Sequence, residues 1–142
     1  MTPVDRRELP GMEFDWLASD EAGHLAQMLS SGIGRVPEVA LSSEETLFTL
    51  HLFLDELPIR EALNVPEGSF QALLAQPQRR GLYVYDADTQ GTDDTGRTGE
   101  YVLVAAPVQP LTLEQVPEEF RRVVARVSGQ FGSNQRISVS GV

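Results

Sequence analysis

Apolar and polar residues alternate near the start of the chain and predict a pair of short strands. Within residues 12–31, Phe14 and Trp16 fall on one face, and the turn-forming residues 20–23 separate them from a second extended stretch. Residues 31–41 contain two glycines and a proline, which predicts a loop without regular structure. The fold is therefore expected to open with a β-hairpin followed by a loop.

The clearest helical pattern covers residues 41–58. Leucine and phenylalanine recur there at spacings of three and four, and a proline closes the far end. Ser42 with Glu45 three places later matches a capping box, in which each side chain accepts from the other's backbone N–H. Because Phe48 and Leu52 widen the apolar stripe, the sequence predicts a helix that lies deep against a sheet.

The remaining pattern predicts two more helices and two more strands. Residues 66–77 have the spacing of a short helix, and residues 81–87 and 100–108 are rich in the β-branched and aromatic side chains of strands. In residues 113–127 acidic side chains come early and arginines late, the order that a helix dipole favours. Residues 128–142 are small and polar, so a flexible C-terminal tail is expected there, with Arg-Ile-Ser-Val as a candidate edge strand.

This order of elements predicts one α+β domain over residues 1–127. Strands that follow each other as hairpins pair antiparallel, whereas helices set apart from them pack on the resulting sheet. We therefore expect a mainly antiparallel sheet built from two hairpins, with about three helices packed on it.

Composition and charge restrict the function classes. The chain of 142 residues has a formal net charge of -10, and its eleven basic residues are all arginine. Such an acidic surface disfavours nucleic acids and anionic membranes, whereas it favours a basic protein partner. Cysteine is absent, which excludes disulfides and thiolate chemistry. Without an apolar segment that could direct export or span a membrane, a cytoplasmic location is expected, and no cofactor is indicated.

The acidic residues 86–100 partly match a calcium-binding loop. In that template oxygen ligands stand at places 1, 3, 5 and 9, and here those places hold Asp86, Asp88, Gln90 and Asp94. Arg97, however, stands at place 12, where the template requires a bidentate glutamate. The sequence leaves two interpretations: a weak metal site formed by these four residues, or a hydrated hairpin tip.

Four residues near the N-terminus are candidate binding residues: Asp15, Trp16, Asp20 and His24. An exposed Trp16 among carboxylates suits an anchor for a basic partner, because buried aromatic anchors carry much of the energy of protein interfaces. The alternative is that Trp16 joins the tyrosines of the later strands in the core. His24 and Asp15 also suit acid–base chemistry if they share a cleft. The chain has none of the common nucleophile, phosphate-binding or zinc-protease motifs, so no catalytic residue is assigned.

Residues 13–41 and 80–120 resemble a family of small bacterial proteins. The resemblance rests on the Phe-Asp-Trp stretch, the turn before His24, the Gly-Ile-Gly-Arg-Val-Pro loop and the strand pair that follows the second helix. The resemblance carries no assigned activity and supplies no catalytic residues, and in character the group is similar to toxin-immunity proteins. The leading hypothesis is a non-enzymatic, acidic protein that inhibits a basic partner by contact. The alternative is a small-molecule-binding protein or hydrolase-like enzyme with a cleft near Trp16 and His24; a homodimer stays open.

Overall fold

The computed structural model of the protein describes residues 2–62, 66 and 68–141. Its strands are β1 (Asp15–Ser19), β2 (Leu25–Leu29), β3 (Tyr83–Ala87), β4 (Glu100–Ala105), β5 (Val124–Arg126) and β6 (Arg136–Ser138). Its helices are α1 (Glu44–Asp55), α2 (Phe70–Arg79) and α3 (Glu118–Arg121), with short 3-10 turns at Arg6–Glu8, Glu38–Leu41 and Leu113–Gln115. The α+β class expected from the sequence is confirmed.

The six strands form one mixed sheet in the order β5-β1-β2-β3-β4-β6. The two expected antiparallel pairs, β1 with β2 and β3 with β4, are present. They are joined by a parallel pairing of β2 with β3, and β5 lies parallel to β1 at one edge. The expectation of a mainly antiparallel sheet built from two hairpins alone was therefore wrong. A parallel neighbour needs a long crossover connection, which here contains α1 and α2.

The expected helix over residues 113–127 is mostly absent. Only Glu118–Arg121 is α-helical, and the following Val124–Arg126 forms β5. Val123 to Val127 are rich in β-branched side chains, which suit a strand, and parallel pairing with β1 satisfies their backbone groups. The order of charges that favoured a helix is thus outweighed by a contact with the other end of the chain.

Residues 128–141 belong to the folded domain, so the expected division into a domain and a flexible tail was wrong. The Arg-Ile-Ser-Val stretch does form the edge strand, since β6 pairs antiparallel with β4. Phe131, Ile137 and Val139 are buried in the same core cluster as Trp16. Burial of three large apolar side chains holds this segment against the sheet because it removes their surface from water.

The two faces of the sheet carry different layers. One face holds the aromatic core, formed by Trp16, Tyr83, Tyr85, Tyr101 and Phe131 and covered by the loops after β2 and the C-terminal segment. The other face is covered by α1 and α3, which pack on leucines and valines of β1, β2 and β5. Helix α2 contacts β3 and β4 beside them. Strand β4 is not covered on both faces, because Val104 is exposed.

Helix α1 begins one residue later than the capping box predicted. Ser43, not Ser42, is the N-cap, and its hydroxyl accepts from the Thr46 backbone N–H at 3.2 Å. Ser42 instead ends the preceding 3-10 turn. Glu45 accepts from the Thr2 backbone N–H at 2.9 Å, so it ties the N-terminal segment to the helix. This contact gives α1 a fixed start beside β1.

Candidate functional site

An open groove lies between α1 and the strands β1 and β2. Its volume is about 490 Å³, within the range of ligand-binding clefts. Four carboxylates line it, Glu13, Asp15, Glu44 and Asp55, and no lysine or arginine does so. The other lining residues are Phe14, Gln27, Leu47, Phe48 and His51. We refer to these nine residues as the acidic groove. Its charge and aromatic walls suit a cationic group with an apolar stem.

Asp15 forms the floor of the acidic groove at the start of β1. Its carboxylate accepts a long hydrogen bond from Gln27 Nε2 at 3.3 Å, and His51 Nε2 donates to its backbone carbonyl at 3.0 Å. Burial raises the pKa of Asp15 above its ordinary value, and Glu13 and Asp86 act in the same direction, whereas His51 opposes the shift. In the free protein, the contacts of Asp15 therefore do not make up for the water that its ionised carboxylate has lost. A cation bound in the groove would stabilise this negative charge.

We expect Asp15→Asn to stabilise the protein near pH 7. Because the pKa of Asp15 is raised in the folded state, ionising it costs stability above that pKa, and the cost disappears below the ordinary value of 3.8, where both states are protonated. The melting temperature of the variant should exceed that of the wild type at pH 7, and the difference should vanish below about pH 3, where the folded and unfolded states are both protonated. Asp94→Asn, in an exposed loop, is the control. A lower melting temperature of Asp15→Asn at pH 7 would contradict this assignment.

The outward face of α1 adjoins the acidic groove and exposes two large apolar side chains. Phe48 is 64% exposed and Leu52 is 47% exposed, one turn apart on the helix. The expectation that they widen a buried stripe was wrong, because Leu47, Leu50 and Leu54 alone face the sheet in full burial. An exposed phenylalanine beside an open groove is typical of a contact surface.

Trp16 and His24 do not share a cleft. Trp16 is 0% exposed; its ring meets Tyr101 edge to face at 5.7 Å, and its Nε1 donates to the Tyr101 hydroxyl at 3.2 Å. It is a core residue, so the prediction of an exposed Trp16 anchor was wrong. His24 directly precedes β2, at the opposite end of the hairpin from Asp15 and beside the Tyr83 ring. Of the four candidate binding residues, only Asp15 lines the acidic groove.

Asp20 has a structural position in the turn between β1 and β2. Its carboxylate is buried and accepts hydrogen bonds from three backbone N–H groups, those of Ala22 (3.0 Å), His24 (2.9 Å) and Phe131 (2.8 Å). These bonds join the turn to the C-terminal segment. Asp20 is therefore occupied by the fold and is not available to a partner.

The calcium interpretation of residues 86–100 gains no support from the described structure and stays a prediction. Asp86 accepts from the Ser31 hydroxyl at 2.7 Å, and Asp88 pairs with Arg136 at 2.6 Å and accepts from the Gln90 backbone N–H at 3.0 Å. Asp94 is exposed. Among the residues that the structure describes, no group of three or more acidic or histidine side chains has the arrangement of a metal site. The loop is a hairpin connection held by arginines.

Sequence reasoning missed most of the acidic groove. His51 was not among the candidate binding residues, and Phe48 was expected to widen the buried stripe of the helix. The available signal was the excess of apolar residues in the helix, since a stripe too wide for one buried face must expose part of itself. Gln27 carried no signal, because only the pairing of β1 with β2 brings it beside Asp15.

The chain was compared with protein-family models, with curated proteins and with solved structures. No protein-family model matches the chain, and neither the curated proteins nor the solved structures contain a match. The described residues also include no helix of the length and apolar character that crossing a membrane requires. The resemblance to small bacterial proteins and to immunity proteins stays a prediction.

Proposed function

We propose that this protein binds a basic protein partner through the outward face of α1 and the acidic groove beside it, without catalysing a reaction. The observation that carries the proposal is Phe48, a phenylalanine that stands 64% exposed between carboxylates. Helix α1 contains Glu44, Glu45 and Asp55, and its one basic side chain is the imidazole of His51, with no lysine or arginine. An apolar anchor among charges of one sign suits a partner with a hydrophobic pocket and a basic rim.

The carboxylates of this surface affect the rate of association, and its exposed apolar side chains affect the rate of dissociation. The carboxylates attract a basic protein over several ångströms and speed its approach, an effect that salt weakens. Phe48 and Leu52 then leave water on contact, and burial of such anchors slows dissociation. If the function is immunity-like, this protein would cover the active site of its basic partner when the two are bound. The net charge of -10 favours a basic partner over acidic proteins, because the acidic surface repels them.

The alternative of a small-molecule site near Trp16 and His24 loses its premise, since Trp16 is buried. The acidic groove contains a different histidine, His51, whose Nε2 is engaged by the Asp15 carbonyl. No serine, threonine, cysteine or lysine is among the described residues that line the groove, and we propose binding rather than chemistry there.

Phe48→Ser should abolish most partner binding and leave the fold intact. Truncation of an aromatic anchor costs about 2 kcal/mol or more, which is roughly a thirtyfold loss of affinity or greater. Because Phe48 is exposed, the free energy of unfolding should change by less than about 0.5 kcal/mol. Affinity capture at two salt concentrations, quantified by mass spectrometry and followed by titration of the captured protein, measures both effects.

Val108→Ser is the matched control, because Val108 is 79% exposed and lies outside the groove and α1. The partner should be a basic protein that the wild type and Val108→Ser retain equally, that Phe48→Ser loses, and that elevated salt releases. Equal retention by all three proteins, or capture of no protein that distinguishes them, would contradict the proposed function.

A further inference from the structure

A small cavity lies where the C-terminal ends of α1 and α2 meet the sheet. It measures about 180 Å³ and has apolar walls from Leu54 of α1, Pro77 of α2 and Leu82 beside β3. Gln27 of β2 and Gln76 of α2 also line it. A water molecule takes up about 30 Å³ of the liquid, so the space has the volume of about six waters. We refer to it as the α1–α2 cavity, and its size suits one small molecule.

Two residues of opposite charge, Asp55 and Arg80, complete the walls of the α1–α2 cavity. They form no ion pair with each other, so their charged groups lie more than 4.0 Å apart. Within the described part of the chain, the Asp55 carboxylate has no hydrogen-bond or ion-pair partner. Arg80 donates to the backbone carbonyls of Leu57 at 3.0 Å and Gln76 at 3.3 Å, and neither carbonyl carries a formal charge. The cavity is therefore lined by one uncompensated charge of each sign.

The two glutamines add hydrogen-bond acceptors to these walls. The side-chain nitrogen of Gln27 donates to the Asp15 carboxylate at 3.3 Å, and that of Gln76 donates to the Ala72 carbonyl at 3.3 Å. Their side-chain oxygens accept no hydrogen bond from a described residue. An ammonium group has three donors and no acceptor, so amide oxygens beside a carboxylate suit it.

The pair of opposite charges selects a zwitterion. A cation alone would leave Arg80 without a counter-charge, and an anion alone would leave Asp55 without one. A molecule that carries an ammonium and a carboxylate close together compensates both groups within one small space. The carboxylate also matches the planar fork of the guanidinium, which binds two oxygens in parallel. An α-amino acid has both groups on a single carbon atom.

We propose that the α1–α2 cavity binds a free α-amino acid with a small apolar side chain. The ammonium of the amino acid lies at Asp55, and its carboxylate lies at Arg80. Its side chain packs against Leu54 and Leu82, where contact removes apolar surface from water. This ligand goes beyond the proposed function, because nothing in its recognition requires the exposed Phe48 or a protein partner.

Free L-valine and two analogues that each lack one charged group test the proposal. The analogues are 3-methylbutanoate, which lacks the ammonium, and 2-methylpropylamine, which lacks the carboxylate; binding is followed by the backbone amide resonances of the wild type. L-valine should bind about fivefold or more tightly than either analogue, with saturable shifts at Gln27 and Gln76. General attraction to a protein of net charge -10 would instead rank the amine first. An analogue that binds as tightly as L-valine, or the absence of saturable shifts at these residues, would overturn the proposal.

Variants assign the two charged contacts. Asp55→Asn should remove the advantage of L-valine over 3-methylbutanoate, and Arg80→Gln should remove its advantage over 2-methylpropylamine. Asp94→Asn and Arg126→Gln remove the same charges from exposed positions outside the cavity and should keep both advantages. Phe48→Ser should bind L-valine as the wild type does, so loss of the protein partner and loss of the amino acid are separate results. Because the comparison of the three ligands uses the wild type, a folding defect of a variant cannot obscure it.

Discussion

Gly34→Ala should destabilise the protein by about 3 kcal/mol or more and lower the abundance of folded protein at 37 °C several-fold. A Cβ atom at this position would meet the Tyr101 hydroxyl and lie 2.7 Å from Tyr101 Cζ and 3.1 Å from the Ala87 Cβ. Tyr101 cannot retreat, because its hydroxyl donates to the Arg35 carbonyl at 3.0 Å and accepts from Trp16. The clash therefore falls on the aromatic core, and urea unfolding followed by Trp16 fluorescence measures it.

Gly96→Ala is the control for this prediction. Gly96 has a φ of 78°, but a Cβ there would meet nothing within 4 Å. Its substitution should cost about 1 kcal/mol, which is the conformational penalty alone. In a Tyr101→Phe background the cost of Gly34→Ala should fall, since the hydroxyl that meets the new Cβ is gone. A cost of Gly34→Ala no larger than that of Gly96→Ala would contradict the steric explanation.

Asp20→Asn should cost about 2–4 kcal/mol of stability and loosen the C-terminal segment. An amide has one acceptor oxygen, so its NH₂ group would face a backbone N–H, either that of Phe131 or those of Ala22 and His24. A buried donor opposite another donor is left unsatisfied. Chemical denaturation gives the change in free energy, and amide hydrogen exchange at Phe131 reports the local opening.

Asp94→Asn removes the same charge from an exposed position and should change the free energy of unfolding by less than about 0.5 kcal/mol. A similar small effect of Asp20→Asn would show that its three hydrogen bonds contribute little. Faster exchange that is confined to the turn after β1 and to the segment around Phe131 is the expected result.

The fold could be predicted where local pattern decides it. Strands β1 to β4 and helices α1 and α2 follow from periodicity, caps and proline positions. Strand β5 could not be predicted in this way, because its stabilising partner is β1 and the pairing is not encoded in neighbouring residues. The burial of Phe131 escaped notice for the same reason, since the polar and glycine residues around it are typical of a mobile segment.

The candidate site was less predictable than the fold. The alternating pattern placed Trp16 on one face of a strand, but such a pattern does not show which face is buried. In the structure the face that carries Trp16 packs into the aromatic core. From sequence alone, Ser42 and Ser43 are equally good candidates for the N-cap of α1. The 3-10 turn that ends at Ser42 decides between them, and this turn was not predicted. The role of Gly34 depends on the approach of Tyr101, 67 positions away in the sequence, so only the three-dimensional structure reveals it.

The place of β5 beside β1 has a consequence for the chain during its synthesis. About a hundred residues separate the two strands, and a ribosome adds roughly 5–20 residues per second, so β1 waits on the order of 5–20 s for its neighbour. Until then the β1 edge of the nascent hairpin is open, and its β2 edge is open until β3 has been synthesised. Such edges pair readily with other strands, and a chaperone that covers this hairpin would raise the yield of folded protein more than one that acts after release.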